Sequence, residues 1–357
     1  MPETMEGTVT KIRSVICEVD ADGESYECKA RGRLTESDRP ESKPVAVGDR
    51  VAFTPTEEDE GVIEKVLPRE TKLSRRSPDD PRTEHVIVAN VDQLLIVASV
   101  RKPPLTRGII DRYIIAGEAG GLLPTICINK VDLARSREEY APAARDYRRM
   151  DYDVLLTSAK TGRGLDELRE ALRDRSTVLA GHSGTGKSSL LNALQPGLQL
   201  ATGEVTTRGR HTTSSVSLLK LDFGGYVVDT PGIREFTLWD IEKRDVAQFF
   251  PRIWELSAEC KMPDCVHMHE PDCAVKQAVR RGRLPKTRYE SYLRIVMTTE
   301  ELEVPRSSDV EEPEEQIAKE KREPSRRRRK QRLRREAREM LDEEKEEEEE
   351  QEPERPS

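Results

Sequence analysis

The chain has 357 residues and a formal net charge of −8 at pH 7, and 36% of its residues are charged. A chain of this length is expected to form two or three domains. Most of the excess negative charge belongs to residues 301–357, so the rest of the chain is nearly neutral. Any binding of nucleic acid must therefore come from local basic patches and not from net charge.

The hydrophobic pattern predicts a protein of the cytoplasm. Residues 1–7 show no basic segment followed by an apolar run, so no secretory signal is expected. The most apolar stretch, Val86–Val100, is interrupted by polar residues and is too short to cross a bilayer, so no membrane association is expected. In a reducing compartment, clustered cysteines suggest metal binding more than disulfides.

Short alternating runs, separated by turn residues, predict an N-terminal β-barrel over residues 1–72. Five strands in a segment of about this length suit a barrel of the oligonucleotide-binding (OB) type, and an SH3-like barrel or a simple β-domain remains an alternative. Residues 73–84 are interpreted as a linker. The predicted strands are Gly7–Ile12, Val15–Val19, Tyr26–Ala30, Asp49–Phe53 and Gly61–Val66.

From Val86 onward, apolar strands alternate with helical segments, which predicts an α/β domain with a mostly parallel sheet over residues 85–239. Residues 240–300 are predicted to form a helical domain. Residues 301–357 bury too little apolar surface to fold alone, and we expect a disordered charged tail. The predicted elements of the first half of the α/β domain are Gln93–Val100, Arg107–Ala119, Leu122–Ile128, Glu138–Met150, Asp153–Thr157 and Leu165–Arg173.

A phosphate-binding loop is predicted between the strand Ser176–Ala180 and the helix Ser188–Leu194. Its glycines allow backbone N–H groups to face phosphate oxygens, and the helix N-terminus adds a positive dipole end. Lys187 is expected to reach the β- and γ-phosphates and to assist catalysis, while the Ser188 hydroxyl ligates Mg²⁺. The predicted binding residues here are Gly181, His182, Ser183, Gly184, Thr185, Gly186, Lys187, Ser188 and Ser189.

Two further motifs predict that the base is guanine. The first, at residues 129–132, ends one apolar strand, and the second, at residues 158–160, ends the next. The Asp132 carboxylate can accept hydrogen bonds from guanine N1–H and its exocyclic amine, whereas adenine has no matching pair of donors. The Ala159 N–H would meet guanine O6, and Asn129 can bridge loops. The predicted guanine site comprises Asn129, Lys130, Val131, Asp132, Ser158 and Ala159.

The switch motifs follow the phosphate loop. Asp229 is expected to hold Mg²⁺ through a water, and the Gly232 N–H to sense the γ-phosphate during catalysis. Residues 209–213 correspond to the first switch, in which Thr212 or Thr213 would bind GTP and complete the Mg²⁺ shell. Because the guanine motifs precede the phosphate loop, the domain is predicted to be a circularly permuted P-loop GTPase domain.

One position in the second switch predicts slow hydrolysis. Many GTPases have a glutamine after the glycine of this switch, which orients the attacking water. Ile233 stands there instead and cannot do so. His211 is the candidate catalytic residue within the chain, although a loop histidine without a catalytic role fits the residue type equally well.

A cysteine–histidine cluster in residues 240–300 predicts one structural zinc site per chain. Three thiolates and one imidazole form a closed tetrahedral set, with no position left for water. His269 could replace His267 as a ligand. The other cysteines, Cys17, Cys28 and Cys127, lie in apolar strands and are expected to be buried thiols. The predicted zinc ligands are Cys260, Cys265, His267 and Cys273.

The permuted motif order, the preceding barrel and the following cluster together resemble the RsgA (YjeQ) family of GTPases. The resemblance covers roughly residues 5–300. It implies an OB-type barrel, a zinc-containing helical C-terminal domain and a role in late maturation of the 30S ribosomal subunit. It also implies hydrolysis of GTP to GDP and phosphate that is slow alone and stimulated by the 30S subunit. His211 matches the histidine proposed for hydrolysis in that family.

Basic clusters in three segments suit phosphate contacts along structured RNA, which the resemblance implies is 16S rRNA. Two tyrosines, Tyr289 and Tyr292, are expected to be available to stack on bases. Nothing in the sequence suggests a dimerising helix, so a monomer is expected. Competing interpretations are a GTP-gated RNA-binding module and a small-molecule kinase. Asp132 argues against the kinase. The basic residues are Lys11, Arg13, Lys29, Arg31, Arg33, Arg69, Lys72, Arg75, Arg76, Arg280, Arg281, Arg283, Lys286 and Arg288.

Overall fold

The computed structural model describes residues 4–35, 41–56, 59–77, 79–80, 82–198, 216–229, 238–239 and 241–300. Residues 1–304 form one compact unit. The predicted first switch, residues 230–237 of the second switch and the predicted tail, residues 301–357, lie outside the described residues. None of the described helices is long and apolar enough to span a membrane.

The N-terminal domain is a closed five-stranded barrel, as predicted. Its strands β1–β5 pair in the order β1-β2-β3-β5-β4, and β4 pairs back onto β1. Inward-facing residues such as Val9, Phe53 and Ile63 are fully buried and form its core. The elements are β1 Met5–Arg13, β2 Ile16–Ala21, β3 Glu24–Ala30, α1 Gly32–Thr35, β4 Arg50–Pro55 and β5 Glu60–Val66.

A hairpin connects the barrel to the α/β domain. Its strands, β6 Lys72–Arg76 and β7 Glu84–Ala89, pair antiparallel in a separate two-stranded sheet. The segment interpreted as a linker, residues 73–84, therefore contains most of β6. Leu73 and Val88 are buried in the main core, so this connection is packed against the rest of the molecule.

The central domain is a six-stranded sheet in the order β10-β9-β8-β11-β13-β12, in which only β12 runs antiparallel. The predicted helix Glu138–Met150 is shorter than expected: it begins at Ala141, with Pro142 in its first turn, where proline's fixed φ is favourable. The elements are β8 Gln93–Ser99, α2 Arg107–Ala119, β9 Leu123–Asn129, α3 Ala141–Arg148, β10 Asp153–Leu156, α4 Leu165–Leu172, β11 Ser176–Ala180, α5 Lys187–Leu194, β12 Val216–Lys220 and β13 Tyr226–Asp229.

The barrel and the central sheet are hydrogen-bonded to each other. Strand β1 pairs antiparallel with β12, with Lys11 opposite Ser217 and Ile12 opposite Val216. The two sheets thus form one continuous eleven-stranded sheet. Because β12 starts at Val216, just after the predicted first switch, the barrel is attached close to that switch.

The C-terminal helices share the hydrophobic core of the central domain. They are α6 Pro251–Ser257, α7 Ala274–Arg280 and α8 Lys286–Glu300. Buried residues of α8, including Tyr292 and Ile295, share one hydrophobic core with Ile110 and Ile114 of α2. This shared core makes the helical domain a continuation of the central domain, not a separately packed module.

Candidate functional site

The predicted nucleotide loops meet at one edge of the central sheet. Strands β9, β10, β11 and β13 are parallel, so the loops that follow their carboxyl ends lie on the same side. This is the edge at which open α/β sheets bind ligands. The guanine motifs and the phosphate loop are brought together here although they are separated in sequence.

The phosphate loop curls as predicted because its glycines adopt backbone angles that other residues avoid. Gly181, Gly184 and Gly186 have φ values of 145°, 79° and 97°. A Cβ atom on Gly181 would lie 2.1 Å from the carbonyl oxygen of Val97. The Lys187 ammonium donates to the Gly181 carbonyl at 2.8 Å and therefore lies across the mouth of the loop.

Asn129 connects the guanine loops to the phosphate loop. Its side-chain amide donates to the carbonyl of Thr185 at 2.9 Å, and its side-chain oxygen accepts from the Thr157 hydroxyl at 3.2 Å. Asn129 is 1% exposed, so these hydrogen bonds are shielded from water. Lys130 adds a second connection, since its ammonium donates to the Gly184 carbonyl at 2.5 Å.

The guanine-reading side chains are positioned by contacts between the two loops. The Ser158 hydroxyl donates to the Asp132 carboxylate at 2.6 Å. Ser158 is buried, whereas Asp132 is exposed at the sheet edge, where a base can reach its second oxygen. The Thr161 N–H donates to the Ser158 hydroxyl at 3.2 Å, which orders the loop that carries Ala159.

Tyr113 of α2 is a neighbour of the phosphate loop that sequence reasoning missed. It is 2% exposed, burial raises the pKa of its phenol, and a hydrogen bond with the Gly181 backbone opposes that shift. A tyrosine on the buried face of an amphipathic helix has no signal in the sequence that separates it from ordinary core residues. Its contact with Gly181 links α2 to the phosphate loop.

Several predicted residues of the nucleotide site are not described. The predicted catalytic residues His211 and Gly232, together with Thr212 and Thr213, lie outside the described residues, as does Ile233. The backbone of Asp229 ends β13 at the same sheet edge as the phosphate loop.

The four predicted zinc ligands come together in the C-terminal domain. Their ligand atoms all lie within 4.8 Å of one another. The Nδ1 atom of His267 is 3.6, 3.2 and 3.4 Å from the sulfur atoms of Cys260, Cys265 and Cys273. With usual Zn–S and Zn–N bond lengths, the edges of a tetrahedron would be about 3.6 to 3.8 Å, so the donor set fits a zinc ion.

The thiols of this cluster would ionise only with a cation beside them. Burial raises the pKa of Cys265 to about 12 and also raises the pKa of Cys273, so these thiols would be neutral without a positive partner. A bound zinc ion supplies that charge and holds thiolates. The alternative ligand, His269, is exposed and does not belong to the cluster.

Helix α8 holds the loop that carries two of these ligands. The Tyr292 hydroxyl donates to the Val266 carbonyl at 2.8 Å, and the Tyr289 hydroxyl donates to the His267 carbonyl at 2.6 Å. Tyr292 is fully buried, so the expectation that it stacks on an RNA base is wrong. Its ring instead packs edge-on against Phe250, with ring centroids 5.4 Å apart.

Two of the predicted RNA-contacting arginines are used inside the protein. Arg69, 10% exposed in its side chain, pairs with Asp49 at 2.7 Å and with Glu41 at 2.8 Å. Arg288, 14% exposed, pairs with Asp111 of α2 at 2.5 Å. Their charges are satisfied by buried carboxylates, so neither is available to a phosphate. By contrast, Lys29, Arg280, Arg281 and Arg283 are exposed, while Arg31 is exposed but pairs with Glu64.

Family models match most of the described chain. The RsgA N-terminal domain model matches residues 6–63, and the RsgA GTPase model matches residues 66–239. Two curated relatives are named small ribosomal subunit biogenesis GTPase RsgA. The one from Christiangramia forsetii is 36% identical over 82% of this chain and 96% of its own length. The one from Moorella thermoacetica is 41% identical over 81% of this chain and 95% of its own length.

Solved structures show the same similarity. The crystal structure of YjeQ from Thermotoga maritima is 36% identical, with a TM-score of 0.63, over 83% of this chain and 99% of that one. The structure of YloQ, described as a circularly permuted GTPase, is 33% identical, with a TM-score of 0.62, over 84% of this chain and 96% of that one. The order of the motifs along this chain, with residues 129–132 and 158–160 before the phosphate loop, agrees with that description.

Proposed function

This chain belongs to the RsgA GTPase family, and on that basis we propose that it hydrolyses GTP and assists late maturation of the 30S ribosomal subunit. Its expected partners are GTP and GDP, the 30S subunit and 16S rRNA, and it would act as a monomer in the cytoplasm. The observation that carries the proposal is the meeting of a phosphate loop with the Asp132–Ser158 pair at one sheet edge.

GTP would be recognised at its base and at its phosphates separately. The Asp132 carboxylate would accept hydrogen bonds from the guanine, because the Ser158 hydroxyl contacts only one of its oxygens. Backbone N–H groups of residues 181–186 and the Lys187 ammonium would hold the phosphates. Ser188 and either Thr212 or Thr213 would hold Mg²⁺ directly, and Asp229 would hold it through a water; the bound ion neutralises phosphate charge in the transition state.

Hydrolysis is expected to depend on the ribosomal subunit. Ile233 offers no group that could orient a water, and His211 is the proposed substitute. A histidine on a switch loop becomes effective only when that loop is held beside the γ-phosphate. Binding to the 30S subunit would provide that ordering, so we expect slow hydrolysis alone and faster hydrolysis with the subunit.

We further propose that the nucleotide state controls subunit binding through the flanking domains. Two contacts support this proposal: β12 pairs with β1 of the barrel, and the Arg76 guanidinium donates to the Leu238 carbonyl at 3.1 Å, just beyond the second switch. The second switch also continues through Trp239 into the zinc domain. If Gly232→Ala left the nucleotide dependence of subunit affinity unchanged, this coupling would be refuted.

The first test is GTP hydrolysis by the purified chain with and without 30S subunits, with 50S subunits as the control. Strong stimulation by 30S subunits alone, lost in His211→Ala, would support the proposal. Tight GTP binding without stimulation would instead favour a GTP-gated RNA-binding module, the alternative that Ile233 suggests. A preference for ATP would contradict both interpretations.

A further inference from the structure

An open pocket beside α3 lies outside the nucleotide and zinc sites. Its volume is about 430 Å³, which falls in the range of roughly 300 to 1,000 Å³ typical of ligand pockets. Half of the lining residues are apolar or aromatic, and the other half are arginines. The lining residues are Arg137, Tyr140, Ala141, Ala144, Arg145, Arg148, Arg149 and Leu156.

Two nearby carboxylates, Glu139 and Asp146, are already neutralised by arginines from other elements. Glu139 accepts a two-point contact from Arg101 at 2.7 and 2.8 Å. Asp146, which lies on α3, pairs with Arg107 of α2 at 2.6 Å. These acidic groups therefore do not balance the charge of the arginines that line the pocket.

Three of the four pocket arginines have no such partner. Arg148 donates to the Val154 carbonyl at 2.7 Å and so has a structural role. Arg137, Arg145 and Arg149 are exposed, and none of them forms an ion pair with a carboxylate of the described residues. The neighbouring Glu138 interacts electrostatically with Arg137 only. Three guanidinium groups without an ion-pair partner therefore surround one partly apolar pocket.

This arrangement of positive charges suits an anion. Arg145 and Arg149 are four residues apart on the α3 surface, where like charges repel. The carboxyl end of the helix offsets part of that repulsion. It does not account for Arg137, which precedes the helix in a separate 3₁₀ turn. An anionic ligand would relieve the repulsion among all three groups.

We propose that this pocket, which we call the α3 pocket, binds a single-stranded or looped segment of RNA. Arg137, Arg145 and Arg149 contact phosphate oxygens, since a guanidinium matches phosphate geometry with two hydrogen bonds. The apolar half of the lining takes an unstacked base or a ribose, as sequence-reading RNA sites do. An acidic peptide would contact the arginines but would leave the apolar half of the lining without a partner.

The position of the α3 pocket suggests which RNA it meets. Leu156 ends β10 two residues before Ser158, so RNA bound here lies beside the guanine-reading loops. This inference rests on the proposed function, because rRNA of the small subunit is then the RNA at hand. It adds a contact by the central domain itself to those expected of the flanking domains.

The test compares two double variants of the full-length chain. Arg145→Gln/Arg149→Gln removes two pocket charges, and Arg173→Gln/Arg252→Gln removes two exposed arginine charges elsewhere. Affinities for 30S subunits and for a single-stranded RNA oligonucleotide are measured over a series of KCl concentrations. We expect about tenfold weaker binding by the pocket variant, and a salt slope smaller by about 1.4, because each phosphate contact on a single strand contributes about 0.7.

The outcomes separate this proposal from the proposed function. Unchanged affinity and salt slope in the pocket variant, with 30S binding by the wild type, would overturn the α3 pocket alone. Absence of 30S binding by the wild type would overturn the proposed function, and the oligonucleotide titration would still decide the pocket. AMP binding that is lost in the variant while RNA binding is kept would assign the pocket to free nucleotides and overturn the RNA site. Equal GTP affinity and equal unfolding midpoints in all chains serve as the control.

Discussion

The ion pair between Arg288 and Asp111 predicts that the zinc domain stabilises the central domain directly. The pair connects α8 to α2 at 2.5 Å, and its side chains are 14% and 1% exposed. The Arg288 guanidinium also lies 4.0 Å from the ring centre of Phe250, and the Tyr147 hydroxyl donates to Asp111 at 3.1 Å. In Arg288→Ala, Asp111 would keep its charge and retain only the tyrosine hydroxyl as a partner.

Removing one partner of a buried ion pair costs about 3 to 5 kcal/mol, most of which is the penalty for the charge left behind. We therefore expect Arg288→Ala to lower the free energy of unfolding by that amount in urea titrations of the zinc-loaded chain. Arg283→Ala, an exposed change in the same domain, should cost less than about 0.5 kcal/mol.

The double variant Asp111→Leu/Arg288→Met identifies the cause. Replacing both charges by apolar groups removes the stranded carboxylate, so stability should return to within about 1 to 2 kcal/mol of the wild type. If the double variant were less stable than Arg288→Ala, or if Arg288→Ala cost less than about 1 kcal/mol, the pair would not connect the two domains as argued.

Three other perturbations have defined outcomes. Gly186→Ala would place a Cβ atom 2.5 Å from the Asn129 amide nitrogen at a φ of 97°, so calorimetry should show at least about tenfold weaker GTP binding. In Gly184→Ala the nearest atom to the new Cβ is 3.7 Å away, so this control variant should lose less GTP affinity. Equal losses of affinity in the two variants would contradict the steric explanation. Burial lowers the pKa of His85 to about 4, so protonation favours the unfolded chain and stability falls as pH drops from about 6.5 to 4. Over this pH range, the free energy of unfolding of the wild type should fall by about 1 to 2 kcal/mol more than that of His85→Gln. Parallel pH profiles of the free energy of unfolding in the two chains would refute this expectation. Zinc analysis of the wild type should find one ion per chain. Cys265→Ser should contain no zinc and should have a lower unfolding midpoint than the wild type. If the wild type were free of metal and Cys265→Ser had the same unfolding midpoint, a structural zinc would be excluded.

Local chemistry in the sequence was sufficient for several of the elements and for the motifs. The helix Arg107–Ala119 and the strand Ser176–Ala180 were predicted at their observed bounds. The phosphate loop was recognisable because its conformation requires glycine at particular spacings. The cluster of predicted zinc ligands was recognisable because all four residues lie in one short segment, so their meeting needs little tertiary information.

Tertiary structure decided which side chains remain available to a partner. Arg69, Arg288 and Tyr292 look like RNA contacts in the sequence, but buried partners from distant segments occupy them. The pairing of β1 with β12 and the contact of Arg76 with Leu238 join residues far apart in the chain. Composition and periodicity report what a residue can do, whereas exposure depends on which other element packs over it. The packing of the whole core determines which element covers a residue. It therefore determines whether an arginine forms a buried ion pair or stays exposed, as in the α3 pocket.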